Sequence, residues 1–225
     1  MIGQHDLPAE EGSAGEVPTY STGTTTVGIV ASDGVVLATD RRASLGGRFV
    51  SNKRTVKVEQ VHPTAAITIA GSVGGAQAYT RQLRAQARLY ETRRGEPMGM
   101  DALATAAGNA LRGLPVSPLL GGADADGPRL FQLDAGGVLE DEYGATGSGT
   151  QVAVGAIEGR YDPDADVEAT SRLAADAVAA ASERDTASGN GLVLARITTD
   201  GVDLREHDTA DAVASAAAGD REVTN

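Results

Sequence analysis

The 225-residue chain has no cysteine, which excludes disulfides, thiolate-bound zinc and a cysteine nucleophile together. Aromatic residues make up 3% of it, too few to line a sugar or nucleotide groove, so the core must be built from Val, Leu, Ile and Ala. Lysine is nearly missing: Lys53 and Lys57 stand alone among 19 basic residues, the rest being arginine. No apolar run approaches the roughly 18 residues of a membrane span, and the opening MIGQHDLPAEEG is acidic where a secretory signal is basic and then apolar. Positive charge is in deficit. The 31 Asp and Glu leave a formal net charge of -12, and such a chain repels phosphate backbones. The expectation is a soluble, cytoplasmic protein that binds neither nucleic acid nor membrane. An acidic, Lys-poor, Ala- and Gly-rich composition suits either a high-salt cytoplasm or a high-GC genome.

Residues 1–23 are acidic and hold almost no large apolar residue, so they cannot bury enough surface to fold alone. At Thr24 the composition changes to TTTVGIVASDGVVLATD, two β-rich runs (24–31 and 35–40) around Ser32-Asp33-Gly34, where Asp-Gly signals a hairpin. A second pair, 56–61 and 65–70, is joined through His62-Pro63-Thr64. After Gly71, the spacing of Ala76, Tyr79, Leu83, Ala87 and Tyr90 predicts an amphipathic helix with an Arg-rich outer face, and 101–112 gives a second helix. Strands return at Leu119-Leu120 and in PRLFQLDAGGVLEDEYGATG, turning at Asp134–Gly137. Residues 148–159 and, more strongly, 164–184 read as helices, and a last strand pair turns at Asp200-Gly201. Residues 208–225 form a tail, frayed helix or disordered. Strands, two helices, strands, two helices, strands is an order that two antiparallel sheets with a helical layer on each outer side accommodate without parallel crossovers. The expected class is therefore α+β, a four-layer αββα sandwich over 24–207.

Several motifs do not carry their usual chemistry. GATGSG (Gly144–Gly149) and AGSVGGA (Ala70–Ala76) match neither dinucleotide nor phosphate loops and read as tight turns. Asp162-Pro-Asp164-Ala-Asp166 starts like a calcium loop but has Val167 where the loop needs Gly, so it reads as an acidic helix start. His5, His62 and His207 are scattered, and neither GxSxG nor HExxH occurs. Any catalysis must take its base from elsewhere.

The Gly23–Thr24 junction offers one. Were the leader removed there, Thr24 would carry a free α-amino group with a reference pKa of about 7.7–8.0, able to accept the proton of its own hydroxyl. A nearby lysine such as Lys57 would lower that pKa further, and a carboxylate such as Asp40 would hold the lysine. Glycine at 23 leaves the scissile carbonyl unhindered. The plain alternative is that Thr24–Thr26 are ordinary β-branched strand residues.

GTTTVGI (23–29), ATDRRAS (38–44), HPTAAITIAGS (62–72), TGSG (146–149) and RDTASGNG (184–191) together, and in order, resemble the β subunit of the archaeal, haloarchaeal-type 20S proteasome, of the N-terminal nucleophile hydrolase family. That family's αββα fold agrees with the layer order above. The resemblance implies a threonine endopeptidase made as a zymogen, with 1–23 a propeptide removed autocatalytically between Gly23 and Thr24. It implies Thr24 as nucleophile, Asp40 as the lysine-orienting carboxylate with Arg42 beside it, and Gly71 as the oxyanion-hole glycine. Ser148, Asp185 and Ser188 would be the polar set around the Thr24 amine; their plain alternative is caps and turns. Lys57 matches the family's lysine if the Leu45–Val50 loop holds one extra residue, with Lys53 as competitor. A strict two-residue turn at Asp33-Gly34 pairs Thr24 with Ala43 and sets Asp40 on the other sheet face, which a bulge, strand twist or different turn register would have to correct.

Ala43, Ile69 and Val73 fall where the family lines its specificity pocket, implying cleavage after large apolar residues; the alternative is core packing. No metal or organic cofactor is implied. The implied partners are six further copies in a ring, a second such ring stacked on it, capping α-subunit rings, an unfolding AAA ATPase acting indirectly, and unfolded protein substrates. Rival readings are an inactive structural ring subunit of the same fold, a small-molecule threonine amidase, and a bacterial-type two-component protease.

Overall fold

A computed structural model describes residues 23–45, 49–134 and 136–213. The expected propeptide, apart from Gly23, and the tail beyond 213 lie outside the described residues.

The main elements among the described residues follow one another as β1 (Thr25–Ala31), β2 (Gly34–Asp40), β3 (Ala43–Leu45), β4 (Phe49–Asn52), β5 (Val58–His62), β6 (Ala65–Gly71), α1 (Val73–Arg94), α2 (Met100–Ala110), β7 (Val116–Asp124), β8 (Gly127–Asp134), β9 (Gly137–Asp141), β10 (Tyr143–Gly147), α3 (Thr150–Glu158), α4 (Val167–Arg184), β11 (Leu192–Thr198) and β12 (Gly201–His207). Ten of the strands make two five-stranded antiparallel sheets, ordered β10-β1-β2-β11-β12 and β5-β6-β7-β8-β9.

The period of two along each strand separates the layers. On β2, Val36 and Ala38 pack against α3 and α4, while Val35 and Leu37 face the other sheet. On β11, Leu192 and Leu194 face those helices and Val193, Ala195 and Ile197 face between the sheets. Ile67 and Ile69 on β6 and Leu120 on β7 turn to α1 and α2, burying Tyr79, Leu83, Leu103 and Ala107. Helices, sheet, sheet, helices is the expected αββα sandwich.

The first hairpin corrects the expected register. Its turn is Ser32-Asp33, not Asp33-Gly34: Ala31 pairs with Gly34, Thr26 with Thr39, and no bulge interrupts the ladder. Gly34 is needed as a strand residue, because a Cβ there would meet the Ile197 carbonyl at 2.2 Å. Continued one step, the ladder sets Thr25 opposite Asp40 at the sheet's end.

Three further differences have local causes. PRLFQLD…EYGATG is not one hairpin, since β9 ends at Asp141 and β10 crosses to pair with β1 in the other sheet. Where a loop is expected from Leu45 to Val50, Leu45 ends β3 and Phe49 begins β4, and the register of this pair shifts at Ser51 so that Ala43 pairs with Asn52 and Ser44 with Val50; residues 46–48 lie outside the described residues. Such a bulge absorbs one extra residue. Helix α4 starts only at Val167, because Asp166 caps it by accepting from the Ala169 amide at 2.8 Å. Packing continues past 207 to Val213, which is buried against the α3–α4 layer.

Candidate active site

Thr24 sits one residue before β1, where the end of the first sheet meets the end of β6. It is buried, and among the described residues its Oγ1 has no hydrogen-bond partner. Gly23 is joined to it, so its nitrogen is an amide, donating to Ser148 Oγ at 3.2 Å. Two glycines let the chain come this close. A Cβ on Gly147 (φ 101°) would meet the Thr24 carbonyl at 2.0 Å, and one on Gly149 the Thr25 hydroxyl at 2.0 Å. Gly23 is equally confined, a Cβ there meeting Ala187 Cβ at 1.9 Å.

Asp40 ends β2 fully buried and is surrounded by donors. Its Oδ1 accepts from Lys57 Nζ at 2.6 Å and from the Thr25 amide at 3.0 Å, and its Oδ2 from the Arg42 and Gly189 amides, both at 2.9 Å. Asp40 thus need not share Thr24's sheet face, since Lys57 bridges between them: it pairs with Asp40 and lines the same cavity as Thr24. Lys53, by contrast, is exposed beyond β4. Burial pushes the Lys57 ammonium below its ordinary value, against the upward pull of Asp40 and of Asp185; the Arg42 charge also lowers it.

Ser148, Asp185 and Ser188 come together although 37 residues separate the first two. Asp185 stands at the C-terminal cap of α4, and its Oδ2 accepts from Ser148 Oγ at 2.5 Å and from Ser188 Oγ at 2.6 Å. Partial burial opposes ionisation there, but the two hydroxyls, the Ala187 amide and the Lys57 charge together hold Asp185 below the usual carboxylate value. Ser188 Oγ also lies 2.8 Å from Thr25 Oγ1. Asp185 is thus a helix cap, as the plain alternative has it, and the same geometry sets all three side chains beside the Thr24–Thr25 backbone.

A cavity of about 140 Å³ opens beside Thr24, lined by Ala43, Thr55, Val56, Lys57, Glu59, Ile69, Gly71, Val73, Ala76 and Gln77. Gly71 ends β6 at φ 120°, where a Cβ would meet the Pro115 carbonyl at 2.4 Å. Ser72 follows as the N-cap of α1, accepting from the Gly75 amide at 3.4 Å, so the positive end of α1 lies at the cavity wall.

Every residue expected at the site falls in one of these connected groups. Sequence reasoning missed Thr25, whose amide and hydroxyl tie Asp40 to Ser188, and Gly189, whose amide holds Asp40. It also missed Thr55, Val56, Glu59, Ala76 and Gln77 on the cavity wall. The spacing of two on either side of Lys57 and of four along α1 was the available signal for Thr55, Glu59 and Gln77 beside Val73.

Two antiparallel sheets between helical pairs, with a buried threonine at the mouth of the sandwich, form the N-terminal nucleophile hydrolase fold. The chain belongs to the proteasome subunit family, whose pattern matches residues 20–197. It is 58% identical over 207 residues to "Proteasome subunit beta" of Halorhabdus utahensis, covering 90% of this chain and 88% of that protein. "Proteasome subunit beta 2" of Haloarcula marismortui is 57% identical, with 90% of each chain covered. "Proteasome subunit beta" of Natronomonas pharaonis is 50% identical over 93% of this chain and 94% of its own length.

Proposed function

We propose that the chain is the β subunit of a proteasome core particle and a threonine endopeptidase, made with residues 1–23 as a leader and activated when the Gly23–Thr24 bond is cut. The convergence of Thr24, Lys57, Gly71 and the apolar residues Ala43, Ile69 and Val73 on one cavity carries the reading. The Thr24 hydroxyl, without a partner among the described residues, adds support, because a buried polar group left unpaired is costly and is kept where chemistry needs it.

Once freed, the Thr24 amine takes the hydroxyl proton, directly or through a water, and Oγ1 attacks the peptide carbonyl. Lys57, fixed by Asp40, lowers the amine's pKa by like-charge repulsion and favours its neutral form. The oxyanion forms against the Gly71 amide at the positive end of α1. The leaving amine takes the proton, and water activated by the Thr24 amine releases the ester. Ser148, which already accepts from the Thr24 nitrogen, and Asp185 orient that amine. Seven copies form a ring, two rings stack, α-subunit rings cap them, and unfolded chains are fed in by an ATPase.

Intact mass and N-terminal sequence of the subunit co-assembled with a proteasome α subunit in high salt test this. The expected product starts TTTVGIV and hydrolyses peptides, whereas Thr24→Ala leaves the chain full-length and inactive. A full-length wild-type chain in an assembled particle overturns the peptidase reading and leaves a structural ring subunit.

A further inference from the structure

The cavity beside Thr24 has an unexpected wall. Ala43, Val56, Ile69, Val73 and Ala76 are apolar, yet Glu59 stands among them as a second charged group besides Lys57. Lys57 is already paired with Asp40. An available carboxylate in such a pocket would favour Lys or Arg side chains and repel acidic ones.

Glu59 is not available. On β5 its neighbour Val58 points between the sheets, so Glu59 points the other way, toward α1. Its Oε2 lies 2.9 Å from Arg84 Nη1. Arg84 is anchored at a second point, its Nε donating to the Gln60 carbonyl at 2.7 Å. A guanidinium held by the backbone of the very next residue loses little freedom in also holding the carboxylate. Arg84 does not line the cavity beside Thr24; it lines a separate one of about 300 Å³ with His62, Arg88 and Glu91. Glu59 therefore borders the cavity beside Thr24 while its carboxylate is paired to a residue that does not.

We propose that Arg84 is a specificity-determining positioning residue: by holding and neutralising Glu59 from behind, it makes a pocket that contains a carboxylate select apolar side chains. This rests on the assignment of the cavity to the residue before the scissile bond. Without Arg84, Glu59 turns into the cavity and the pocket accepts cations.

The test uses assembled, processed particles and two fluorogenic peptides differing only in that residue, Leu or Arg. Arg84→Gln is expected to raise kcat/KM for the Arg peptide roughly tenfold through KM, with the Leu peptide changed less than about threefold. Arg84→Lys keeps the wild-type ratio, and Arg84→Gln combined with Glu59→Gln returns the Arg peptide to its wild-type rate. An unchanged ratio in Arg84→Gln, or a gain that survives in the double variant, overturns the proposal. Glu59→Gln alone leaves the Arg84 charge uncompensated behind the cavity wall and is expected to keep the ratio at or below its wild-type value. A rising ratio there overturns the proposal even if Arg84→Gln does not assemble. Hydrolysis that persists in Thr24→Ala, or a wild-type particle inactive on both peptides, instead removes the peptidase assignment and this inference with it.

Discussion

Asp40 and Asp185 show how two carboxylates near one threonine come to differ. Asp40 is sealed, with each oxygen taking two donors from the backbone or Lys57, so it fixes geometry. Asp185 is partly open, and it is held ionised by hydroxyls that also touch the threonine segment. Its folded pKa is lowered, so the stability it contributes is complete above its unfolded value near 3.8 and is lost as pH falls through the lower folded value. Asp185→Asn cannot ionise and lacks that contribution at any pH. The Tm gap between wild type and Asp185→Asn is therefore expected to be widest at about pH 5 and to shrink toward pH 3. A gap that stays constant or widens on acidification would show that Asp185 stabilises by packing rather than by charge.

Helix α4 illustrates what small residues do for an element. Ala174, Ala177 and Ala181 are fully buried along one side, which lets the helix lie close over β1 and β2. Ala177 is fully buried, so Ala177→Leu adds volume to a packed layer and is expected to destabilise the subunit by about 1–3 kcal/mol, read as a lower denaturation midpoint at unchanged m. An increase in stability would reveal a void under α4. The periodicity that places these alanines inward is also why α4 was readable from sequence, as were α1 and the existence of the β11–β12 hairpin; its expected turn at Asp200-Gly201 is corrected to Thr199-Asp200, because Gly201 is already a strand residue paired with Thr198. The misread elements are those whose partners are distant in the chain. Nothing local in EYGATG says that β10 leaves the β9 sheet to pair with β1. Gly34 satisfies a steric demand from Ile197, which a turn rule mistakes for a backbone one. The site followed the same division. Thr24, Asp40 and Lys57 were legible through motif order and the scarcity of lysine. Thr25, Glu59 and Gln77 became functional candidates only when the sheets and α1 brought them to the same place.

At the scale of the whole molecule two electrostatic effects compete. Ion pairs such as Arg41–Glu206, Arg196–Glu168 and Arg129 with Asp101 and Glu140 favour the folded chain, and salt screens them. The net charge of -12 disfavours the compact state, and salt screens that too. Exposed pairs contribute about 0–1 kcal/mol each, and Arg41 and Arg196 are largely buried, which limits the loss on screening. The repulsion acts over distances longer than a contact, so it is the first to fall as the Debye length shrinks from about 10 Å at 0.1 M to about 3 Å at 1 M. Screening should therefore be net stabilising, and Tm is expected to rise between 0.1 M and 1 M KCl. General exclusion of salt from the surface would also raise Tm, so the variant Glu96→Gln/Asp126→Asn/Glu183→Gln separates the causes. These carboxylates are exposed and stand outside the ion pairs named above. Neutralising them is expected to raise Tm at low salt and to flatten its salt dependence, because less repulsion remains to be screened. If Tm falls with KCl, the ion pairs outweigh the net charge; if the variant keeps the full wild-type slope, the effect of salt is not electrostatic.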